Sequence, residues 1–413
     1  MKHLAGIWVL LLAWNQVALG QTPSIELTNP ETVGMSSDSL QQMNRHFHQL
    51  VDEYQLAGIQ TAVMRKGKLI HFDSYGYANI AEEKELDEAS IFRIFSMTKP
   101  IVSVGLMQLY EQGKFDLEDP LHKFLPEYNQ MQVFTDSGLV PVIQPIRIIA
   151  SLRHTSGFTY GRSQYPELDQ LYAQANVHTS ATNKEFVTQL SQFPLLFEPG
   201  TDWQYGFSTN ICGYLIEVLS GKPLDEYLQE HILEPLQMKD THFQVPEEKV
   251  GRFTVGYGWQ EEGGLSIVEN QRDNRYVNEV TLFNGGGGLV STTMDYLKFC
   301  QMMLNRGEAN GNRILTGETV DLMLKDHLEE ARDQQERLRL PPGEYGFGLG
   351  FAVRGTGPND LERVFGWGGA VGTYFKIDIE HELVYVLMIQ LSPYRQLRLR
   401  ELFQQYVEAA IIG

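Results

Sequence analysis

A helix and two strands open this chain, strands and a helix close it, and most of what lies between is helical. Residues 36–54 place Leu40, Met43, Phe47, Leu50, Val51 and Tyr54 at helical spacing behind serines suited to an N-cap. Residues 58–64 and 68–75 read as two strands joined by the tight turn Arg65-Lys66-Gly67. At the far end Tyr345, Phe347, Leu349 and Phe351 alternate with glycines, and 373–379 and 383–391 form a hairpin across Glu380-His381-Glu382. Residues 397–412 then gather Leu399, Leu402, Phe403, Tyr406 and Ala410 on one helical face. Strands joined by short turns pair antiparallel, and amphipathic terminal helices must bury their stripes on a shared sheet face. The expected fold is therefore α/β of the α+β type, an antiparallel β-sheet flanked by the N- and C-terminal helices with a large, mostly helical insertion. The sheet region covers about 36–95 and 340–413. The helical region, about 96–339, holds helices over 101–112, 183–192, 210–220, 224–232 and 293–305. No internal repeat or low-complexity linker divides residues 21–413, which read as one unit.

At 413 residues, 42% hydrophobic and 21% charged, the chain has the composition of a folded globular protein. Its formal charge of −19 repels phosphate backbones and anionic headgroups, which argues against nucleic acid and membrane surfaces as partners. Residues 1–20 stand apart. Lys2 and His3 precede an apolar run over 4–14, and Ala18-Leu19-Gly20 offers small residues for cleavage before Gln21. That is the pattern of a secretory signal peptide, so an exported chain, periplasmic or secreted and without stable membrane insertion after cleavage, is expected. Cys212 and Cys300, each inside an apolar helix-like run, are expected as buried free thiols rather than a disulfide scaffold.

The chemistry begins at Ser96-Met97-Thr98-Lys99. A serine hydroxyl needs a base to become a nucleophile, and a lysine three residues on shares its helix face. Burial of that lysine favours the neutral amine, which can accept the proton. Short motifs of this kind recur by chance, so the surroundings decide. Tyr205, in Trp203-Gln204-Tyr205-Gly206-Phe207-Ser208, is a candidate partner: an adjacent buried ammonium would favour its phenolate and let it shuttle a proton. Trp367-Gly368-Gly369-Ala370, just before the strand at 373–379, allows close backbone approach and a free N–H for an oxyanion. The run Gly285-Gly286-Gly287-Gly288 lacks the residues of a phosphate loop and is explained by close backbone packing. There is no G-x-S-x-G elbow, and the eleven histidines form no H-E-x-x-H or Cys/His cluster, so no metal site is expected. His154, before a Ser-Gly turn, suits a structural hydrogen bond better than a triad base.

In this order the pieces resemble the serine β-lactamase-like hydrolases, in the class C-related branch that includes the family VIII carboxylesterases. The resemblance runs from about Gly58 to Leu391. It rests on Phe95-Ser96-Met97-Thr98-Lys99-Pro100, Leu117-Glu118-Asp119-Pro120-Leu121 with Phe124-Leu125-Pro126, Arg153-His154-Thr155-Ser156-Gly157 and Phe197-Glu198-Pro199-Gly200. Tyr205, Glu234-Pro235-Leu236-Gln237-Met238, Gly285 to Ser291 and Trp367-Gly368-Gly369 complete it. It implies a cofactor-free, two-step acyl transfer in which Ser96 is acylated, Lys99 activates it and Tyr205 serves as general base. The oxyanion hole would be the N–H groups of Ser96 and Ala370, and Trp367, Gly368, Gly369 and Phe207 would line the substrate pocket.

Two positions depart from the family pattern. The usual Tyr-x-Asn or Tyr-x-Ser reads Tyr205-Gly206-Phe207, and the usual Lys-Thr-Gly or His-x-Gly reads Trp367-Gly368-Gly369. Loss of that cation and hydroxyl removes contacts to the carboxylate of a β-lactam or peptide terminus, and Trp367 offers apolar surface and one N–H instead. The expected substrate is a small or medium acyl ester. β-Lactam or D-alanyl peptide hydrolysis, another amide hydrolysis and transfer to a non-water acceptor are the alternatives within the chemistry. A catalytically idle binding protein is the alternative outside it, set against the presence of Ser96, Lys99 and Tyr205 together.

Overall fold

The computed structural model describes residues 25–260, 263–328, 346–354 and 364–412. The leader reading of residues 1–20 and Tyr345 lie outside the described residues. At the centre is an eight-stranded sheet in which every neighbouring pair is antiparallel. From edge to edge the strands are Gly346–Phe347, Ala352–Arg354, Val364–Gly368, Tyr374–Asp378, Leu383–Met388, Gly58–Arg65, Lys68–Asn79 and Lys84–Glu85. The two ends of the chain thus meet in mid-sheet, where Ala62 lies opposite Val386 and Val63 opposite Tyr385.

Both faces of the sheet are covered, which is why Leu383–Met388 is apolar and buried at every position. Leu383, Tyr385 and Leu387 face the terminal helices, and Val384, Val386 and Met388 face the helical region. The first helix, Ser37–Asp52, starts where the Ser36 hydroxyl accepts the Ser39 N–H at 3.2 Å, and buries Leu40, Met43, Phe47 and Val51. The last, Leu399–Ala409, buries Leu399, Phe403 and Val407. The Phe403 ring stands edge-on to Tyr385 at 5.3 Å and tilted against Phe47 at 6.4 Å, tying both helices to one sheet face.

On the other face the helix Thr293–Leu304 packs against Gly58–Arg65, Tyr374–Asp378 and Leu383–Met388, and the helix Thr98–Glu111, buried along almost its whole length, packs against Ser208–Ser220 and Leu224–Leu228. The helical region is less purely helical than its sequence suggests. It also carries the hairpins Gln132–Thr135 with Gly138–Pro141 and Gly256–Trp259 with Leu265–Glu269. It also contains the helix Pro166–Ala175, where no element was expected. Residues 224–232 form an α-helix, Leu224–Leu228, that widens into a π-turn over Gln229–Leu233. The strand expected over 383–391 divides. Leu383–Met388 stays in the sheet, while Leu391–Ser392 pairs in parallel with Tyr257 and Gly258. Cys212 and Cys300 are buried and unpaired. No helix among the described residues is long and apolar enough to cross a membrane.

Phe403→Ala removes the ring that joins both terminal helices to the sheet, and should cost about 3–5 kcal/mol in urea unfolding. Ser36→Ala removes only a cap and should cost about 0.5–2 kcal/mol. Equal costs would contradict the packing described.

Candidate active site

The segment leading to Ser96 is held from both sides. Phe92 and Arg93 pair with Ser291 and Val290, and the Gln390 carboxamide donates to the Arg93 carbonyl at 3.0 Å while accepting its N–H at 3.2 Å. Phe95 then takes φ 43°, a left-handed conformation that costs a non-glycine residue about 1–3 kcal/mol and persists only when its surroundings impose it. They do so here. Tyr276 stands edge-on to the Phe95 ring at 6.3 Å, and Arg275 lies 5.5 Å from its centre. The kink leads into a 3₁₀ turn, Phe95–Met97, and the helix Thr98–Glu111. Ser96 is left half-buried, and Lys99 one turn on is 1% exposed.

The Lys99 ammonium donates to the Ser96 Oγ at 3.3 Å and to the Gly286 carbonyl at 2.5 Å. Burial alone pushes its pKa down from 10.5 to about 7, because neither acceptor carries a charge. The glycine run delivers that carbonyl. Asn284 Oδ1 accepts the Gly286 N–H at 2.9 Å and the Asn210 amide at 2.8 Å, fixing the loop to the helix Ser208–Ser220. A Cβ on Gly286 would overlap the Asn210 carboxamide. The expectation of close backbone packing is met, and the packing serves the lysine.

Tyr205 covers Lys99, whose nitrogen lies 4.6 Å from the phenol ring centre. The Tyr205 oxygen accepts the Trp367 indole N–H at 3.1 Å. Burial pushes the phenol up to about 12 against the opposing hydrogen bonds from Ser96 and Trp367. The expectation of a phenolate beside an ammonium is reversed: at neutral pH the phenol keeps its proton, and the lysine is the group poised to lose one. Tyr160 and His154 back the Tyr205 ring at 5.5 and 4.8 Å. Both His154 ring nitrogens are buried without a hydrogen-bond partner, so its expected structural hydrogen bond is absent from the ring. Burial and the nearby Lys99 hold His154 neutral, well below the usual imidazole range.

The third element arrives on the strand Val364–Gly368. The Gly369 N–H donates to the Thr373 carbonyl at 2.8 Å, and the Thr373 hydroxyl donates to the Ile94 carbonyl at 3.4 Å, two residues before Ser96. Ala370 is exposed at this junction, and the N–H groups of Ser96 and Ala370 have no hydrogen-bond acceptor among the described residues. Trp367 is half-buried, with its ring 5.1 Å from Tyr205 and 5.3 Å from Phe347.

Phe207, expected in the pocket, is placed elsewhere. It is 5% exposed and packs among Tyr160, Tyr172, His178 and Phe186, supporting the site from behind. Ser208 also points inward, 2.7 Å from the Ser156 hydroxyl. No amide or hydroxyl from these positions therefore replaces the missing third residue of the Tyr-x-Asn element. The Gly286 carbonyl and Tyr160 went unread in the sequence. The glycine run was the one signal, and it names no acceptor.

The sequence model of the Beta-lactamase family matches residues 43–406. Acyltransferase calJ of Penicillium decumbens is 27% identical over 353 residues, covering 79% of this chain and 82% of calJ. Lovastatin esterase of Penicillium rubens is 28% identical over 334 residues, covering 75% and 81%. Among solved structures EstCE1, titled a hydrolase with promiscuous acyltransferase activity, superposes with a TM-score of 0.74 at 23% identity, covering 91% of this chain and 99% of EstCE1. That likeness establishes the antiparallel sheet with its helical region as the fold.

A buried lysine that prefers to be neutral also affects stability. Between about 7 and 10.5 the unfolded chain holds the Lys99 proton and the folded one does not, so stability rises with pH across that window. Below it, the full cost of burying the ammonium applies. Lys99→Met should therefore raise the melting temperature most at pH 6–7, with the gain shrinking toward pH 10.5. A gain independent of pH would mean that Lys99 is not desolvated as described.

Proposed function

Because this chain belongs to the β-lactamase family, whose similar members here include an esterase and an acyltransferase, we propose that it is an exported serine carboxylesterase cleaving small to medium acyl esters through an acyl-Ser96 intermediate. The observation that carries this reading is the Ser96 hydroxyl 3.3 Å from a lysine whose burial brings it to about 7. The uncharged Lys99 amine takes the Ser96 proton as Oγ attacks the ester carbonyl carbon. Charge building on the carbonyl oxygen is met by the N–H groups of Ser96 and Ala370. Collapse breaks the bond to the alcohol, which leaves with a proton passed from Lys99 through the Tyr205 hydroxyl. Water then loses a proton to the same pair and attacks the acyl carbon, releasing the acid and restoring Ser96. Tyr205 therefore acts as a relay whose proton is replaced as it is given, the role open to a phenol held near 12.

Trp367, where the family's cation usually stands, directs its one N–H to Tyr205 and leaves its ring for apolar contact. This supports neutral acyl esters over β-lactams and peptide termini. Acyl transfer to an alcohol is the second reading, favoured by the similarity to calJ. Export rests on the pattern of residues 1–20, and N-terminal sequencing of the protein recovered outside the cytoplasm should begin at Gln21.

The test is turnover of p-nitrophenyl butyrate and a chromogenic cephalosporin, with fluorophosphonate labelling, in the parent and in Ser96→Ala. Ester hydrolysis and labelling should vanish with Ser96, and the ester should outpace the cephalosporin. An added primary alcohol will divert product to the new ester if transfer operates. Fluorophosphonate inactivation should accelerate as pH rises to about 7 and then level off, since the neutral amine is the base. Lys99→Ala should lose at least about 100-fold in kcat. Ester turnover surviving Ser96→Ala would refute the mechanism.

A further inference from the structure

Arg400, on the C-terminal helix Leu399–Ala409, reaches the turn that follows the strand Val364–Gly368. Its guanidinium donates to the Gly369 carbonyl and, at 2.8 Å, to the Thr373 carbonyl. The Gly369 carbonyl also accepts the Gly372 N–H at 3.2 Å, and the Thr373 carbonyl accepts the Gly369 N–H at 2.8 Å. The arginine thus clamps both ends of the turn that joins Val364–Gly368 to Tyr374–Asp378. Gly368 has to be glycine for this approach, since a Cβ there would overlap the guanidinium.

The Gly369 carbonyl and the Ala370 N–H belong to one peptide group. A charged donor on the carbonyl oxygen draws electron density from the amide nitrogen, which makes the N–H a stronger donor. It also fixes the plane of the peptide, so that the N–H points away from the arginine, on the side where Ala370 is exposed.

No carboxylate pairs with Arg400 among the described residues. Its other neighbours are the rings of Tyr394 at 4.5 Å and Tyr374 at 5.6 Å, and its Nε is buried without a partner. Arg400 is half-buried, and a guanidinium drawn out of water without an acid beside it needs its N–H groups hydrogen-bonded. The charge is instead turned on two backbone carbonyls.

We propose that Arg400 is a positioning residue for acyl transfer, which orients and polarises the Gly369–Ala370 peptide so that the Ala370 N–H binds the oxyanion. This rests on the acyl-Ser96 reading above. It places the positive charge that Trp367 fails to supply behind the oxyanion hole rather than in the substrate pocket. There it strengthens the transition state and selects no substrate carboxylate.

The experiment compares the parent, Arg400→Lys, Arg400→Gln and Arg400→Met. Fluorophosphonate titration counts the folded active sites, and infrared difference spectra record the carbonyl band of the acyl-enzyme formed from a slowly deacylating cinnamoyl ester. For Arg400→Met, kcat per titrated site should fall about 10- to 100-fold, short of the loss from deleting an oxyanion donor outright, with KM within about twofold. The acyl carbonyl band should move to higher wavenumber, as expected of a weaker hydrogen bond to that oxygen. Arg400→Lys keeps the charge and one bond and should restore part of both effects; Arg400→Gln, which keeps a neutral donor, should restore less. If Arg400→Met does not fold, the order of Lys and Gln carries the same test. A loss of kcat with an unmoved band would overturn the proposal, as would equal bands for Lys and Gln. Absence of any Ser96-dependent acyl band in the parent would instead refute the acyl-enzyme reading, and the role of Arg400 with it.

Discussion

The rest of the site depends on keeping the Lys99 ammonium out of water without giving it a counter-ion. A carboxylate beside it would hold it charged, and solvent would do the same. The structure supplies a carbonyl and a hydroxyl instead. This explains why Thr98–Glu111 is buried around almost its whole circumference when an ordinary surface helix would show one buried stripe. It explains the glycines at 285–288 as well, because only a bare backbone can pass between Ser208–Ser220 and the nucleophile turn and present a carbonyl at 2.5 Å. Tyr205 completes the cover, and His154 and Tyr160 wedge it in place.

How far this was legible in the sequence follows from the range of each interaction. The terminal halves of the sheet were readable because their signals are local: alternation within a strand, a glycine turn, an N-cap serine. Leu383–Met388 and Gly58–Arg65 pair as neighbours although more than 300 positions separate them, and the matching burial of both ends suggested it. The strands of the two central hairpins were missed because each is only four or five residues long, too short for alternation to stand out, although their partners are local. Leu391–Ser392 leaves the sheet for Tyr257 and Gly258, a choice fixed by Gln390 gripping Arg93 and by nothing in the local pattern. Pro166–Ala175 is different. It carries proline in its first turn, Glu167 and Asp169 beside the positive end of the helix and Asn176 in the left-handed cap, so its signals were present.

The site divides along the same line. Ser96 and Lys99 are three residues apart, and helix geometry alone brings them together. Tyr205 and Trp367 could be named from motif order, but not that the indole N–H is spent on the phenol. Phe207 was expected in the pocket because it stands at the third position of the Tyr-x-Asn element. Here the chain turns into Ser208–Ser220 immediately after Tyr205, which sends the next side chain into the aromatic cluster behind it.

The types of the two cations near Ser96 fit the tasks assigned to them. Neither meets a carboxylate among the described residues, and each is desolvated enough to pull its pKa down. An ammonium answers that pressure by giving up its proton, since its ordinary value of 10.5 lies within reach of neutrality. A guanidinium starts higher, spreads its charge over a plane and stays protonated under the same pressure. Exchanging the two residue types would put a permanent cation beside the nucleophile, where a base is needed, and a single-point donor behind the Gly369–Ala370 peptide, where a planar fork reaching two carbonyls is needed. The catalytic proposal therefore requires lysine at 99 and arginine at 400 for opposite reasons, although burial acts on both in the same direction.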